Sequence, residues 1–132
     1  MAASPHRIVF LERESLAATV RRPAFAHTWS EYDKLEPEAV ITALADATIA
    51  IVNKTRLDAA VLARLPQLRL IALTATGTDN VDLGWCRDHD IAVSNVRNYA
   101  VHTVPEHTFA LILALRRSLF AYARDIAAGR WQ

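Results

Sequence analysis

Glycine is scarce in this sequence. Only Gly77, Gly84 and Gly129 occur in 132 residues, and no pair of them has the spacing of a GxGxxG dinucleotide turn or of a P-loop. A phosphate cradle built on glycine amides is therefore excluded within the chain. Cysteine is scarcer still. Cys86 stands alone, so no intramolecular disulfide can form, and the cytoplasm is the expected compartment. A long apolar run is also missing: residues 104–115, the richest stretch, are broken by Glu106 and His107 and are too few to span a bilayer. The first residues lead straight into a strand-like segment, without the apolar core of a signal peptide. Neither sign of charge dominates. The formal net charge of +1 gives no electrostatic reason to expect nucleic acid or a membrane surface as partner. No repeat and no low-complexity segment is present.

What remains is an ordinary soluble composition, 52% hydrophobic and 22% charged, in a chain long enough for one domain with a real core. Short β-rich runs alternate with helical patterns. Residues 7–11, 26–29, 47–52, 68–73 and 91–94 read as strands, the second of them as a weak edge strand. Residues 37–44 read as a helix with Pro37 near its start, residues 57–65 as a helix stopped by Pro66, and residues 82–89 as a short helix capped by Asp82. Such alternation with short connections predicts an α/β fold: a flavodoxin-like, doubly wound parallel sheet of five strands, covered on both faces and joined by right-handed crossovers.

The last element differs. Thr103-Val-Pro-Glu106 fits a capping box, with Thr103 as N-cap, Pro105 in the first turn and Glu106 reaching back. One long helix is expected from there to about Ala128, stopped by Gly129. Its first three turns are apolar nearly all round, which calls for burial on more than one side.

In an open parallel sheet, ligands bind beyond the carboxyl ends of the strands. Three segments qualify: residues 53–55, 75–80 and 95–100. In the middle one, Gly77 can take a positive φ and admit a ligand to the backbone. The amides of Thr76, Gly77 and Thr78 can hold a carboxylate, or the segment is a plain turn before a capped helix. Lys54 either attracts an acidic substrate or is simply solvated. Tyr99 either offers its hydroxyl to a substrate or covers its loop. The histidines do not have metal-site spacing: His102 and His107 are five apart, not on one i, i+4 face. His89 suits the end of a short helix as a cation. Cys86 has no assigned base, and Asp79 and Asp82 suit capping better than acid–base work. No complete catalytic set is visible.

Several pieces in order carry a resemblance. Residues 68–82, Leu-Arg-Leu-Ile-Ala-Leu-Thr-Ala-Thr-Gly-Thr-Asp-Asn-Val-Asp, resemble the "LkxI…GxGxDNID" stretch of D-isomer-specific 2-hydroxyacid dehydrogenases. Ile91-Ala-Val-Ser-Asn95 resembles their "GIxVxN", Thr103-Val-Pro-Glu-His107 their "SVAEH", Leu113-Ala-Leu-Arg-Arg117 their "LxLxRR", and Gly129-Arg-Trp131 their "GxW". Within the family, residues 74–80 look most like glycerate dehydrogenases, which reduce hydroxypyruvate.

The resemblance implies a substrate-binding domain over residues 1–100, then a helix over 101–132 that begins a Rossmann domain and takes part in a homodimer through residues 103–128. It implies an enzyme using NAD or NADP on a small 2-hydroxy or 2-keto acid. The catalytic Arg, Glu and His, and the GxGxxG loop, would lie beyond Gln132, so the chain alone is expected to be inactive and not to bind the cofactor. Carried over by position, Lys54, Thr76, Gly77, Thr78 and Tyr99 contact substrate, and Val101 and Thr103 edge the nicotinamide end of the cleft.

Three departures stand out. Arg97-Asn98 replaces the usual Pro-Gly, and Asn tolerates the left-handed conformation that Gly would allow. Ala100 replaces a common Asn, and Pro105 replaces Ala. An alternative of the same fold is a corepressor-like, peptide-binding or regulatory domain. A true flavodoxin would need a phosphate loop where Leu11-Glu-Arg-Glu14 is acidic and lacks glycine. A receiver would need an aspartate where Val52-Asn53-Lys54 stands.

Overall fold

Strands β1 (His6–Phe10), β2 (His27–Glu31), β3 (Ile49–Val52), β4 (Leu70–Leu73) and β5 (Ala92–Ser94) send alternate side chains to opposite faces of one sheet. The register carries an apolar row across it: Val9 lies beside Ala50, Ala50 beside Ile71, and Ile71 beside Val93. The computed structural model describes residues 5–130. Trp131 of the Gly129-Arg-Trp motif lies outside the described residues. The chain divides into two units, Met1–Arg97 and Asn98–Gln132.

All pairings in the first unit are parallel, in the order β2-β1-β3-β4-β5. This is the flavodoxin-like arrangement expected from the alternation of elements. From β1 the chain steps one way to β2. It then crosses back over β1 to β3 and continues outward to β4 and β5. Three right-handed crossovers running in one direction place their helices on one face. These are α1 (Pro37–Leu44), α2 (Ala59–Leu62) and α3 (Leu83–Asp88). Val40 and Leu44 from α1, Leu62 from α2 and Cys86 from α3 pack in one core with Val9, Ala50, Val52, Ile71 and Leu73. Leu44, Leu57, Leu62 and Leu68 reach 0% exposure, each worth roughly 1.5–3 kcal/mol of transfer free energy.

The opposite face is covered unevenly. Ile8 and Phe10 of β1 are buried there, Ile49 and Ile51 of β3 are half-buried, and Ala92 and Ser94 of β5 are exposed. The β1–β2 connection, which contains a 3₁₀ turn at Arg13–Ser15, crosses on that side.

Two expectations for this unit need correction or confirmation. The helix expected over residues 57–65 is much shorter. Leu57 instead makes an isolated parallel bridge to Val81, and Asp58 caps the helix by accepting from the Val61 amide at 3.1 Å. The bridge holds Leu57 extended, so the helix cannot begin before its cap. Asp82 does cap α3, accepting from the Trp85 amide at 2.9 Å. His89 follows as C-cap, and its ring stacks on Trp85 at 3.5 Å and 5°.

The second unit contains α4 (Thr103–Arg116) and α5 (Leu119–Ala127) rather than one continuous helix. Ser118 takes the left-handed conformation, φ 51°, and its amide donates to the Leu115 carbonyl at 3.1 Å, closing α4. No glycine or proline marks the break, and the apolar stripes run through it; that is why the pattern read as one helix. The capping box does not form either. Thr103 already lies inside α4, His102 is the N-cap, and neither side chain caps. The carbonyls of Ala100 and His102 satisfy the amides of Val104 and Glu106 at 3.3 and 3.0 Å, leaving those donors no need of side-chain partners. At the far end Gly129, φ 67°, completes a Schellman closure. Its amide donates to the Ile126 carbonyl and that of Arg130 to the Asp125 carbonyl, at 3.0 and 2.8 Å.

Candidate active site

The reversal of strand order lies between β1 and β3, where a flavodoxin-like sheet opens its crevice. Glu12 follows β1 by two residues and reaches across this point. Its carboxylate accepts from the backbone amides of Asn53 at 2.7 Å, Lys54 at 2.9 Å and Thr55 at 3.0 Å. Three consecutive amides converging on one carboxylate form an anion nest, and the protein fills it with its own side chain. Partial burial pushes the Glu12 carboxyl upward. The hydrogen bonds from Thr55, Asn53 and Lys54 together outweigh that and hold it below its ordinary value. Beside it lies a cavity of about 470 Å³ whose walls include Glu12, Lys34, Leu35, Val40, Lys54 and Val61.

The neighbouring loop after β4 carries three successive amides without an acceptor among the described residues. Thr76 accepts through its carbonyl from Asn95 Nδ2 at 2.7 Å, and the Ala75 carbonyl accepts from the Val96 amide at 3.1 Å. In a trans peptide the N–H points opposite to the C=O. The amides of Thr76 and Gly77 therefore point away from Asn95 and Val96. Among the described residues, the amides of Thr76, Gly77 and Thr78 donate to nothing. Of the two loops, the one after β3 has its amides on Glu12, and the one after β4 leaves the amides of Thr76, Gly77 and Thr78 without an acceptor among the described residues, with the Asp79 carboxylate beside Gly77.

Asn80 ties the two loops together. Its Nδ2 donates to the carbonyls of Thr55 at 2.8 Å and Asn53 at 3.3 Å, while its own carbonyl accepts from the Leu57 amide at 2.8 Å. The Leu57–Val81 bridge continues the connection.

Gly77 departs from expectation. It does not adopt a positive φ; among the described glycines only Gly129 does. Its lack of a side chain matters for space instead. A Cβ there would sit 2.9 Å from Asp79 Oδ1.

The other expected residues fall as follows. Lys54 joins the open loop at the same end of the sheet. Its side chain is exposed and makes no ion pair among the described residues. Tyr99, Val101 and Thr103 belong to the second unit, where Tyr99 is 69% exposed. Val101 lines an open apolar groove along α4 with Pro105, Phe109 and Leu113. Asn98 does take the left-handed conformation, φ 62°. Cys86 is buried; desolvation, then the charge of Asp82, push its thiol upward, so it is a poor nucleophile. Among the described residues no three His, Cys, Asp or Glu side chains gather as metal ligands, and no helix is long and apolar enough to cross a membrane.

Sequence reasoning missed Glu12, Asn80 and Asn95. The available signal for Glu12 was an acidic residue directly after the first buried strand. Its amide partners stand 41 to 43 positions away and are found only once β1 and β3 are known to be neighbours.

Comparison with known proteins converges on one family. The model of the D-isomer specific 2-hydroxyacid dehydrogenase catalytic domain matches residues 8–128. The chain is 47% identical over 126 residues to a glycerate dehydrogenase of Methylorubrum extorquens, covering 95% of this chain and 40% of that protein. It is 43% identical over 127 residues to a putative 2-hydroxyacid dehydrogenase of Haemophilus influenzae, with the same two coverages. Among solved structures, a 2-hydroxyacid dehydrogenase from Ketogulonicigenium vulgare Y25 shares the fold with a TM-score of 0.72 at 23% identity, covering 95% of this chain and 40% of that one. The chain thus spans about two fifths of the length of these proteins.

Proposed function

The chain belongs to the D-isomer-specific 2-hydroxyacid dehydrogenase family, and we propose that it supplies the substrate-holding domain of an enzyme interconverting a small D-2-hydroxy acid and its 2-keto acid. Glycerate and hydroxypyruvate are the pair we assign, a choice supported by the 47% identity to a glycerate dehydrogenase. The observation that carries the reading is the set of unpaired amides at Thr76, Gly77 and Thr78, beyond the carboxyl end of β4. Both acids present a carboxylate, and charge-assisted hydrogen bonds from backbone amides orient it without a side chain that must first be ordered.

Within this reading, Lys54 draws the anionic substrate toward the loops, and Tyr99 offers its hydroxyl to it. Val101 and Thr103 border the nicotinamide end of the cleft. The reaction is a hydride exchange with NAD or NADP. This chain's residues do not fit the body of that cofactor, because no strand-to-helix turn here carries the glycines that a pyrophosphate requires. We therefore assign the dinucleotide, and the groups that move the proton, to a nucleotide-binding domain of a longer protein. We place that protein in the cytoplasm, where the lone Cys86 stays a thiol. The domain organisation in this reading is substrate-binding over residues 1–100, with residues 101–132 leading toward the nucleotide domain and pairing two copies of the chain. Phe109, Leu113, Phe120 and Ile126 on α4 and α5 are each more than half exposed, an apolar surface of the kind that protein contacts cover.

Hydroxypyruvate titrated into the isotopically labelled chain is expected to move the amide resonances of Thr76, Gly77 and Thr78 before any others. Saturation that leaves those three unmoved rejects the reading. Hydroxypyruvate with NADH or NADPH is expected to give no turnover by the chain alone, and measurable oxidation would show that the reacting groups lie within it.

A further inference from the structure

At the point where strand order reverses, a flavodoxin-like sheet opens the crevice that takes a ligand. Here that place is held by Glu12, seated on the amides of Asn53, Lys54 and Thr55. The loop that carries these amides is bonded through its carbonyls to Asn80, which belongs to the loop bearing Thr76, Gly77 and Thr78. A chain of contacts therefore runs from the end of β1, through the loop after β3, to the loop after β4.

We propose that Glu12 is a positioning residue: as a built-in anion it sets the loop after β3 and, through Asn80, the free amides after β4. Glu12 touches no substrate in this scheme. It fills one of two adjacent anion nests, so that an external carboxylate finds only the other open and finds it already shaped. The inference rests on the proposed role of residues 76–78 in holding a carboxylate.

The geometry favours this over a plain structural salt bridge. Glu12 makes no ion pair among the described residues; its partners are the backbone amides of Asn53, Lys54 and Thr55, with the Thr55 side chain beside them. Those donors belong to consecutive residues, so one carboxylate defines the path of the whole turn. The Asn80 side chain then leaves through the carbonyls of the same turn. A displaced turn necessarily moves the acceptors that hold Asn80.

The test exploits the vacancy that a shorter side chain leaves. In Glu12→Ala the three amides lose their acceptor, and free formate is small enough to replace it. In the full 132-residue chain, Glu12→Ala is expected to shift the amide resonances of Asn53, Lys54 and Thr55 together with those of Thr76, Gly77 and Thr78. Hydroxypyruvate binding should weaken by roughly tenfold, the scale of losing one charge-assisted hydrogen bond. Sodium formate, at a concentration that leaves residues 76–78 of the unsubstituted chain unmoved, should return both sets of resonances and the affinity toward those of the unsubstituted chain, and sodium chloride at equal ionic strength should not.

A folded Glu12→Ala chain in which residues 76–78 do not move, or in which formate restores nothing, overturns the proposal. Should that variant fail to fold, Glu12→Gln keeps the size and one acceptor oxygen while removing the charge. Both sets of amides moving together in it support the coupling, and a shift confined to residues 53–55 ends it. Hydroxypyruvate that moves no amide of the unsubstituted chain defeats the carboxylate-binding reading instead, and leaves the coupling between the two loops, as read by formate, standing.

Discussion

Glu12 Oε2 and the backbone amide of Asn53 meet at 2.7 Å although 41 positions separate the two residues in the chain. The contact gives the fold an acid-sensitive joint. Glu12 has its carboxyl held below the ordinary value when folded, so its contribution to stability is fully present above the unfolded value. That contribution fades as pH falls through the folded one. The melting temperature should therefore drop as the solution is acidified below the usual glutamate range. Glu12→Gln should be less stable than the parent at neutral pH, and the gap should narrow in acid. Thermal melts of both proteins across that range, showing a gap independent of pH, would contradict this assignment.

Asn80 is the second joint. Replacing it with Ala removes two donations, to the carbonyls of Thr55 and Asn53, and leaves part-buried acceptors without a partner. The expected loss is about 1–3 kcal/mol, measured by urea denaturation. A loss within about 0.5 kcal/mol, the range of an ordinary surface substitution, would mean that water replaces the amide without penalty.

Gly77→Ala separates folding from binding. The added methyl would lie 2.9 Å from Asp79 Oδ1, the tip of a short, exposed side chain that can rotate away. Since the backbone there is not left-handed, stability should change by no more than about 1 kcal/mol. The methyl group and the displaced Asp79 carboxylate crowd the neighbouring amides, so hydroxypyruvate affinity should fall. Titration calorimetry showing unchanged affinity would place the carboxylate elsewhere.

Cys86 should be slow to react. Burial and the Asp82 charge both disfavour its thiolate, and the side chain is 1% exposed. A disulfide reagent at mildly alkaline pH should label it only at the rate of unfolding, and denaturant should release it at once. Immediate stoichiometric labelling of the native protein would show α3 to be open in solution.

Ser118 holds a left-handed conformation between α4 and α5, which costs a non-glycine residue roughly 1–2 kcal/mol. Ser118→Gly should raise the stability of the second unit by up to about 1 kcal/mol, and Ser118→Val should lower it. Helicity followed by circular dichroism during heating reads both. A gain with Val would point to one continuous helix.

The candidate site was half legible beforehand, and the reason is local against non-local information. Thr76, Gly77 and Thr78 are candidates in the sequence because the strand that ends before them announces a loop at the carboxyl edge of the sheet. Their freedom from other partners depends on Asn95 and Val96 taking the adjacent carbonyls, which only the folded chain reveals. Lys54 stands out in the sequence for its charge, whereas in the fold its amide is the part engaged, by Glu12.

The sequence by itself determined the order of strands and helices, the parallel sheet, the Asp82 cap and the left-handed turn at Gly129, because each follows from periodicity or from the chemistry of residues a few positions apart. Only the tertiary structure decided that Leu57 pairs with Val81 instead of starting a helix, that Ser118 breaks the last helix, and that Glu12 takes the amides after β3 while those of residues 76–78 are left without an acceptor. Those outcomes depend on backbone groups from distant parts of the chain meeting across the sheet edge or closing a turn. Backbone groups are the same in every residue, so the sequence carries no mark of which of them will be left unpaired.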